Sequence, residues 1–233
     1  GEGSLRRTMS LSIIVPMLNE EAGIAAALSA LRDLGGEIVA VDGGSRDKTL
    51  ACAGPHADQL LSSPRGRARQ MNAGAASAQG EILLFLHADT TLPANAAQAI
   101  MEAIGQGAVW GRFDVCIAGN SAWFPLIAAL MNLRSRLTGI ATGDQAIFVR
   151  RSSFEQIGGF PDIPLMEDIV ISQRLKQLAR PACLRQKVTT AGRRWEKHGI
   201  LRTILTMWWL RLRFFCGADP KNLALEYGYA PEA

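Results

Sequence analysis

Three runs of consecutive apolar residues organise the amino-terminal half of the chain: Ser12–Pro16, Glu37–Val41 and Ile82–Leu86. They are continuous rather than alternating, which predicts strands covered on both faces, as in a parallel sheet. Between the first two, Leu28, Leu31 and Leu34 recur at helical spacing. Asn19 is placed to cap that helix, with Glu20 and Glu21 in its first turn and Gly35-Gly36 at its end. Asp47-Lys48-Thr49 opens a second helix. A strand at Gln59–Leu61 leads into a helix over Arg65–Ala76 that is rich in small residues, and a further helix begins at Pro93. Alternation of strand and helix predicts a mostly parallel α/β sheet.

Beyond residue 105 the pattern changes. Val109–Ile117 reads as a strand, Ser121–Leu137 as an amphipathic helix, Gln145–Val149 as a strand and Gly158–Pro161 as a turn. Glu167–Leu178 reads as a helix that starts with two acids, Ala182–Thr189 as an edge strand, and 198–216 as a long basic, aromatic helix. No repeat or linker interrupts this order. The expected organisation is a single catalytic-type domain over 10–197, with a nucleotide-binding part at 10–105 and an acceptor part at 106–197. A tail at 198–233 follows it. Gly1–Ser4 resembles an expression-vector remnant, Met9 a native start, and 1–9 is expected to be disordered.

At 233 residues, with 48% hydrophobic and 20% charged positions, the chain can bury a substantial core. The net charge of +4 is mild on average but uneven. Arg180, Arg185, Lys187, Arg193, Arg194, Lys197, Arg202, Arg211 and Arg213 face a single acid, Glu196, over the same stretch. This suits phosphate-bearing ligands or anionic lipid, with a solvated basic face as the lesser alternative. Nucleic acid is disfavoured, because no base-reading motif accompanies the charge. Cys52, Cys116, Cys183 and Cys216 lack any paired spacing and read as reduced thiols of a cytoplasmic protein. Ala122–Leu133 is too short to span a bilayer, and Arg202, Arg211 and Arg213 interrupt Ile200–Cys216.

The chemistry gathers where strands end. Ile82–Leu86 stops at His87-Ala88-Asp89, and Val41 runs into Asp42-Gly43-Gly44-Ser45. Open α/β sheets present ligand-binding groups at the carboxyl ends of their strands, so two such acids point to a nucleotide site with a divalent cation. Taken alone, Asp42 is also an ordinary turn residue, His87 a satisfied strand-end histidine, and Glu167 with Asp168 acids set against a helix dipole.

Five segments occur in order: Ser12–Glu20, Val41–Thr49, His87–Asp89, Gly158–Phe160 and Met166–Asp168. Together they resemble the family 2 inverting glycosyltransferases over roughly residues 10–200. Arg65–Gly74, Phe85–Thr90 and Arg193–Trp195 resemble a bacterial subgroup of small, single-domain members. The resemblance implies a GT-A-type, Rossmann-like, mostly parallel sheet flanked by helices, with a helical C-terminal extension. It implies a nucleotide-diphosphate sugar as donor, and Mg²⁺ or Mn²⁺ on Asp89, the last acid of the family's DxD motif. His87 stands where the first acid would be. Pro16, Asn19, Glu20, Asp42 and Gly44 fall in the loops that hold the nucleotide, and Gly43 replaces a second acid there. Arg65, Arg67 and Gln70 are expected beside the donor, His87 and Ala88 at the nucleotide, and Arg194 and Trp195 near the diphosphate and acceptor. Asp168 matches the general base, with Glu167 orienting it or the acceptor. The acceptor stays open, a lipid-linked one included. Segment 198–216 suits the inner face of an anionic membrane, or packing on the sheet or a second copy as a homodimer. A sugar-phosphate nucleotidyltransferase would need a basic, glycine-rich loop where Met17–Glu20 stands, and a non-catalytic nucleotide-sugar or lipid-surface module would not need Asp89 and Asp168.

Overall fold

In the computed structural model, which describes residues 9–192 and 199–229, successive strand residues point into two different layers. β1 (Leu11–Met17), β2 (Glu37–Asp42) and β4 (Ile82–Phe85) send Ile13, Val15, Ile38, Ala40, Ile82 and Leu84 to one side. There they meet α1 (Ile24–Arg32), α4 (Ala96–Gly105) and α5 (Phe124–Thr138). Ile14, Val39, Val41, Leu83 and Phe85 face the other side, against α3 (Arg67–Ser77), α6 (Arg151–Gln156) and α7 (Glu167–Leu178). Covering both faces is what makes the strand sequences continuously apolar. α3 lies very close to the sheet: a Cβ at Gly74 would sit 2.5 Å from Ile14 Cγ2. The small residues of that helix are therefore a packing requirement.

The remaining strands are β3 (Gln59–Ser62), β5 (Thr90–Thr91), β6 (Trp110–Ala118), β7 (Ile147–Arg150) and β8 (Ala182–Ala191). α2 (Thr49–Ala53) links β2 to β3. The sheet order is β3-β2-β1-β4-β7-β6-β8-β5. β1 to β4, β6 and β8 run one way, and β7 and β5 run against them. The mixed α/β, mostly parallel expectation holds. β8 is not the edge strand expected for Ala182–Thr189: β5 pairs with its last residues, Thr189 and Thr190. That pairing ties the His87–Asp89 turn to the far side of the sheet.

The first helix also departs from expectation. Asn19 does not cap it and no acid sits in its first turn; it starts at Ile24 after Gly23. Asn19 instead adopts φ +53° and its Oδ1 accepts the Arg46 N–H. α5 docks through polar groups. Asn132 exchanges two hydrogen bonds with the Val115 backbone, and the fully buried Arg112 binds Asp114 and the Asn132 carbonyl. The tail forms α8 (Ile200–Phe215) and α9 (Pro220–Glu226). Leu210, Leu223 and Ala224 bury against Leu165, Met166 and Ile169, at the start of α7. Burying side chains of this size stabilises by roughly 1.5–3 kcal/mol each, so the extension is anchored to the element that carries Glu167 and Asp168. Among the described residues no helix is long and apolar enough to cross a membrane.

Candidate active site

The carboxyl ends of β1 and β2 are laced together before anything binds. The Asp42 Oδ2 accepts the Gly44 and Ser45 N–H groups at 2.9 Å each, and Oδ1 accepts the Ser45 hydroxyl. Ser45 Oγ accepts the Asn19 N–H, and Thr49 Oγ1 accepts the Glu20 N–H. Asp42 is thus a turn residue as well as a candidate ligand, and its buried carboxylate keeps lone pairs beyond those three bonds. Pro16 lies within β1, paired with Val41.

Gln70, expected beside the donor, plays a different part. It is buried and its amide nitrogen donates to the Met17 and Val41 carbonyls, both at 2.9 Å, so it joins the two strand ends from beneath. The Asn72 amide likewise holds the Gly158–Phe160 turn through both Phe160 backbone groups. Both amides face inward, where bare backbone groups needed partners.

A cavity of about 860 Å³ opens beyond these loops. Glu20, Arg67, His87, Asp89, Asp144, Glu167 and Asp168 all line it. Asp89 is exposed and His87 and Ala88 half-buried. A short 3₁₀ turn, Gly143–Gln145, forms the opposite wall. Gly143 packs on the imidazole, where an added Cβ would fall 2.3 Å from His87 Cε1. Asp144 Oδ1 stands 3.6 Å from His87 Nδ1. Burial opposes ionisation of Asp144, but His87, Arg67 and Arg211 outweigh it and hold its pKa below the usual carboxylate value.

Asp168 Oδ2 accepts the Gly143 N–H at 3.0 Å, and Oδ1 its neighbour Ile169 N–H at 2.8 Å. The carboxylate is fixed yet only partly buried. Glu167 is buried against Arg67, with Nε to Oε1 at 3.3 Å. Burial pushes the Glu167 carboxyl up despite that partner, while Glu167, with Asp168 beyond it, raises Arg67 in turn. Arg67 therefore serves the carboxylate pair. Arg65 lies over the Tyr229 ring, 5.3 Å from its centre, and Arg69 pairs with Asp162 at the surface. Arg194 and Trp195 lie outside the described residues.

Among the described residues, the non-glycine positions with positive φ are Asn19, Ala146 and Met166. Met166 lines the cavity just before Glu167, Asn19 precedes the cavity residue Glu20, and Ala146 follows the 3₁₀ turn. Such conformations cost on the order of 1–3 kcal/mol apiece and persist where the surroundings impose them.

Among the described residues no three His, Cys, Asp or Glu side chains form a ready cation cluster. The donor set fits Mg²⁺ or Mn²⁺ in another way. An exposed strand-end carboxylate can share a hard cation with diphosphate oxygens and water, as these ions commonly prefer. The sequence already places Gly143–Gln145 ahead of a strand on the acceptor side, and Gly143 and Asp144 do line the cavity; the residues that sequence reasoning missed are Arg134 and the inward setting of Arg211, which line it from α5 and α8. Arg134 interrupts a helix stretch of Leu130, Met131 and Leu133, the one signal that could have flagged it.

Comparison with known proteins fits this geometry. The model of the family described as Glycosyl transferase family 2 matches residues 12–158. An undecaprenyl-phosphate 4-deoxy-4-formamido-L-arabinose transferase of Pseudomonas paraeruginosa is 31% identical over 160 residues, 60% of this chain and 46% of that protein. A probable glycosyltransferase, YdaM of Bacillus subtilis, is 25% identical over 207 residues, 75% of this chain and 48% of that one. The chain spans about half the length of these curated relatives. Among solved structures, S. aureus TarS residues 1–349 superpose with a TM-score of 0.61 at 18% identity, covering 79% of this chain and 61% of that one. The Pyrobaculum calidifontis mannosyltransferase PcManGT, in complex with GDP-Man and Mn²⁺, gives 0.59 at 21%, covering 78% and 56%. At these identities the structures speak for the fold alone.

Proposed function

The chain belongs to glycosyl transferase family 2, and on that premise we propose that it is a metal-dependent, inverting transferase using a nucleotide-diphosphate sugar. The acceptor hydroxyl oxygen attacks the anomeric carbon from the side opposite the diphosphate. The bond from that carbon to the diphosphate oxygen breaks with its electron pair, and the hydroxyl proton passes to Asp168. Asp89 would hold Mg²⁺ or Mn²⁺, and the ion would supply Lewis-acid neutralisation of the leaving charge. Asp42, Pro16 near the end of β1 and the loops of Asn19, Glu20 and Gly44 receive the nucleoside, and His87 and Ala88 border the sugar-bearing end. Arg67 and Glu167 orient the base, and Arg65 packs over Tyr229 of the tail.

The observation that carries this reading is Asp168: partly solvent-facing, anchored by the Gly143 N–H, and turned into the cavity that Asp89 and His87 share. The relatives named for undecaprenyl phosphate favour a lipid-linked acceptor, and with it a place at the cytoplasmic face of a membrane. The test is release of nucleoside diphosphate from UDP- and GDP-sugars with Mn²⁺. Asp168→Asn should lower turnover by ~10²–10⁴ with donor affinity kept. Near-native turnover in that variant would remove Asp168 from the role and make Glu167 the next candidate.

A further inference from the structure

Two guanidinium groups in the cavity are oddly provided for. Among the described residues, Arg134 Nε and Nη2 and Arg211 Nε are buried and have no hydrogen-bond partner. Burial, with Arg211 and Arg112 adding repulsion against the weaker pull of Asp168, brings Arg134 down to about 10. It remains charged at neutral pH. Buried cations without partners destabilise a fold, and a pair that repel each other do so further. Asp168 draws on Arg134 and Asp144 on Arg211, yet none of these three nitrogens has a hydrogen-bond acceptor, so an anion that accepts from them is the missing partner.

The walls around this pair are apolar. Leu130, Leu133 and Leu137 of α5 face Ile204, Met207 and Trp208 of α8 across the cavity. These walls belong to exposed apolar stripes that run along both helices. Trp123, Leu126, Leu130, Leu133 and Leu137 recur at three- and four-residue steps on α5. Leu205, Trp208, Trp209, Leu212 and Phe215 do the same on α8. Stripes of this kind normally mark an interface. Of the basic residues expected to face a membrane, Arg211 turns into the cavity and Arg213 is paired with Glu226.

We propose that the space between α5 and α8 is the acceptor subsite and takes an anionic amphiphile. Its phosphate-type head group is bound by Arg134 and Arg211, and its apolar chain leaves along the leucine and tryptophan stripes. A hydroxyl of the same head group then reaches Asp168, which lines the cavity with both arginines. This deepens the transferase reading and rests on it for the reaction, but the binding site stands on the unpaired cations and the apolar walls.

The experiment is calorimetric and fluorimetric titration of the full chain with decyl phosphate below its micelle threshold, with decanol, and with inorganic phosphate. UDP and GDP with Mn²⁺ are titrated in parallel. Decyl phosphate should bind at least about tenfold more tightly than either fragment, since each charge-assisted hydrogen bond is worth about that factor or more. Arg134→Gln and Arg211→Gln should each weaken decyl phosphate by about tenfold and leave decanol within about twofold. Leu133→Asn, which adds no charge beside Arg134, should weaken both amphiphiles and spare inorganic phosphate. Arg134→Gln should melt no lower than the native protein, because it removes an uncompensated charge; Arg134→Lys should keep part of the affinity. Equal binding of decyl phosphate and inorganic phosphate would reduce the site to a free-anion site. Equal binding of decyl phosphate and decanol would leave only an apolar groove. Either result, or native affinity in both glutamine variants, overturns the inference. Nucleotide binding without decyl phosphate binding sinks the subsite and spares the transferase; the reverse sinks the transferase and spares the subsite.

Discussion

Replacing Gly143 by alanine isolates the contact that joins the two walls of the site. The residue does not have positive φ, so alanine is tolerated by the backbone. A glycine-to-alanine change without strain stabilises by ≈0.4–1 kcal/mol through the unfolded chain. Here the new Cβ would lie 2.3 Å from His87 Cε1 and 2.4 Å from Nε2, against the ~3.5–4 Å of ordinary carbon contacts. The imidazole must therefore move by on the order of 1 Å, away from its place beside Asp144. Overpacking of this kind costs ~1–3 kcal/mol, or a melting temperature lower by ~2–4 °C for each kcal/mol in a chain of this size. The donor should also bind more weakly, because His87 borders the sugar end. The assay is a cycle of four proteins, native, Gly143→Ala, His87→Ala and the double variant, each melted and titrated with nucleoside diphosphate and Mn²⁺. With the ring removed, Gly143→Ala should cost nothing or stabilise, giving a coupling of about 1–3 kcal/mol. An equal loss in both backgrounds, or a more stable single variant, would refute the wedge.

Arg67→Met should cost ~3 kcal/mol, the lower end for breaking a buried pair since Arg67 is partly exposed; Arg67→Met with Glu167→Leu should recover most of it, and chemical denaturation that shows no recovery would contradict the pairing. Asp58 accepts the Ile38 N–H at 2.8 Å and Arg32 Nη1 at 2.7 Å, and these bonds hold its pKa below the usual 3.8. A lowered folded pKa stabilises above 3.8, and that contribution is lost as pH falls through the folded value. Asp58→Asn should therefore flatten stability against pH in the acid range below about 4, and an unchanged acid profile would remove Asp58 from the account.

The sheet was legible because its strands are covered on both sides: Ile13 and Ile14 serve different layers, and both must be apolar. The strand-end acids were legible for the same topological reason. Asn19 misled because a capping side chain and a side chain that braces a neighbouring loop have the same composition; only its φ of +53° separates them. Gln70 was expected beside the donor because a helix period does not reveal which carbonyls lie beneath it. The β8 edge assignment failed over a two-residue partner, Thr90–Thr91, too short to leave a pattern. Arg134 and Arg211 were scattered charges in the sequence. They become a pair only when α5 and α8 close on one cavity, a juxtaposition that no local signal carries.

The central claim is that Asp89 brings a divalent cation to a nucleotide donor, and calorimetric titration of UDP and GDP with and without Mn²⁺, on the native chain and on Asp89→Asn, tests it most directly. The account predicts binding that depends on Mn²⁺ in the native protein and loses that dependence in Asp89→Asn, with an unchanged melting temperature for the unliganded protein because the side chain is exposed. The same Mn²⁺-dependent affinity in both proteins would contradict it.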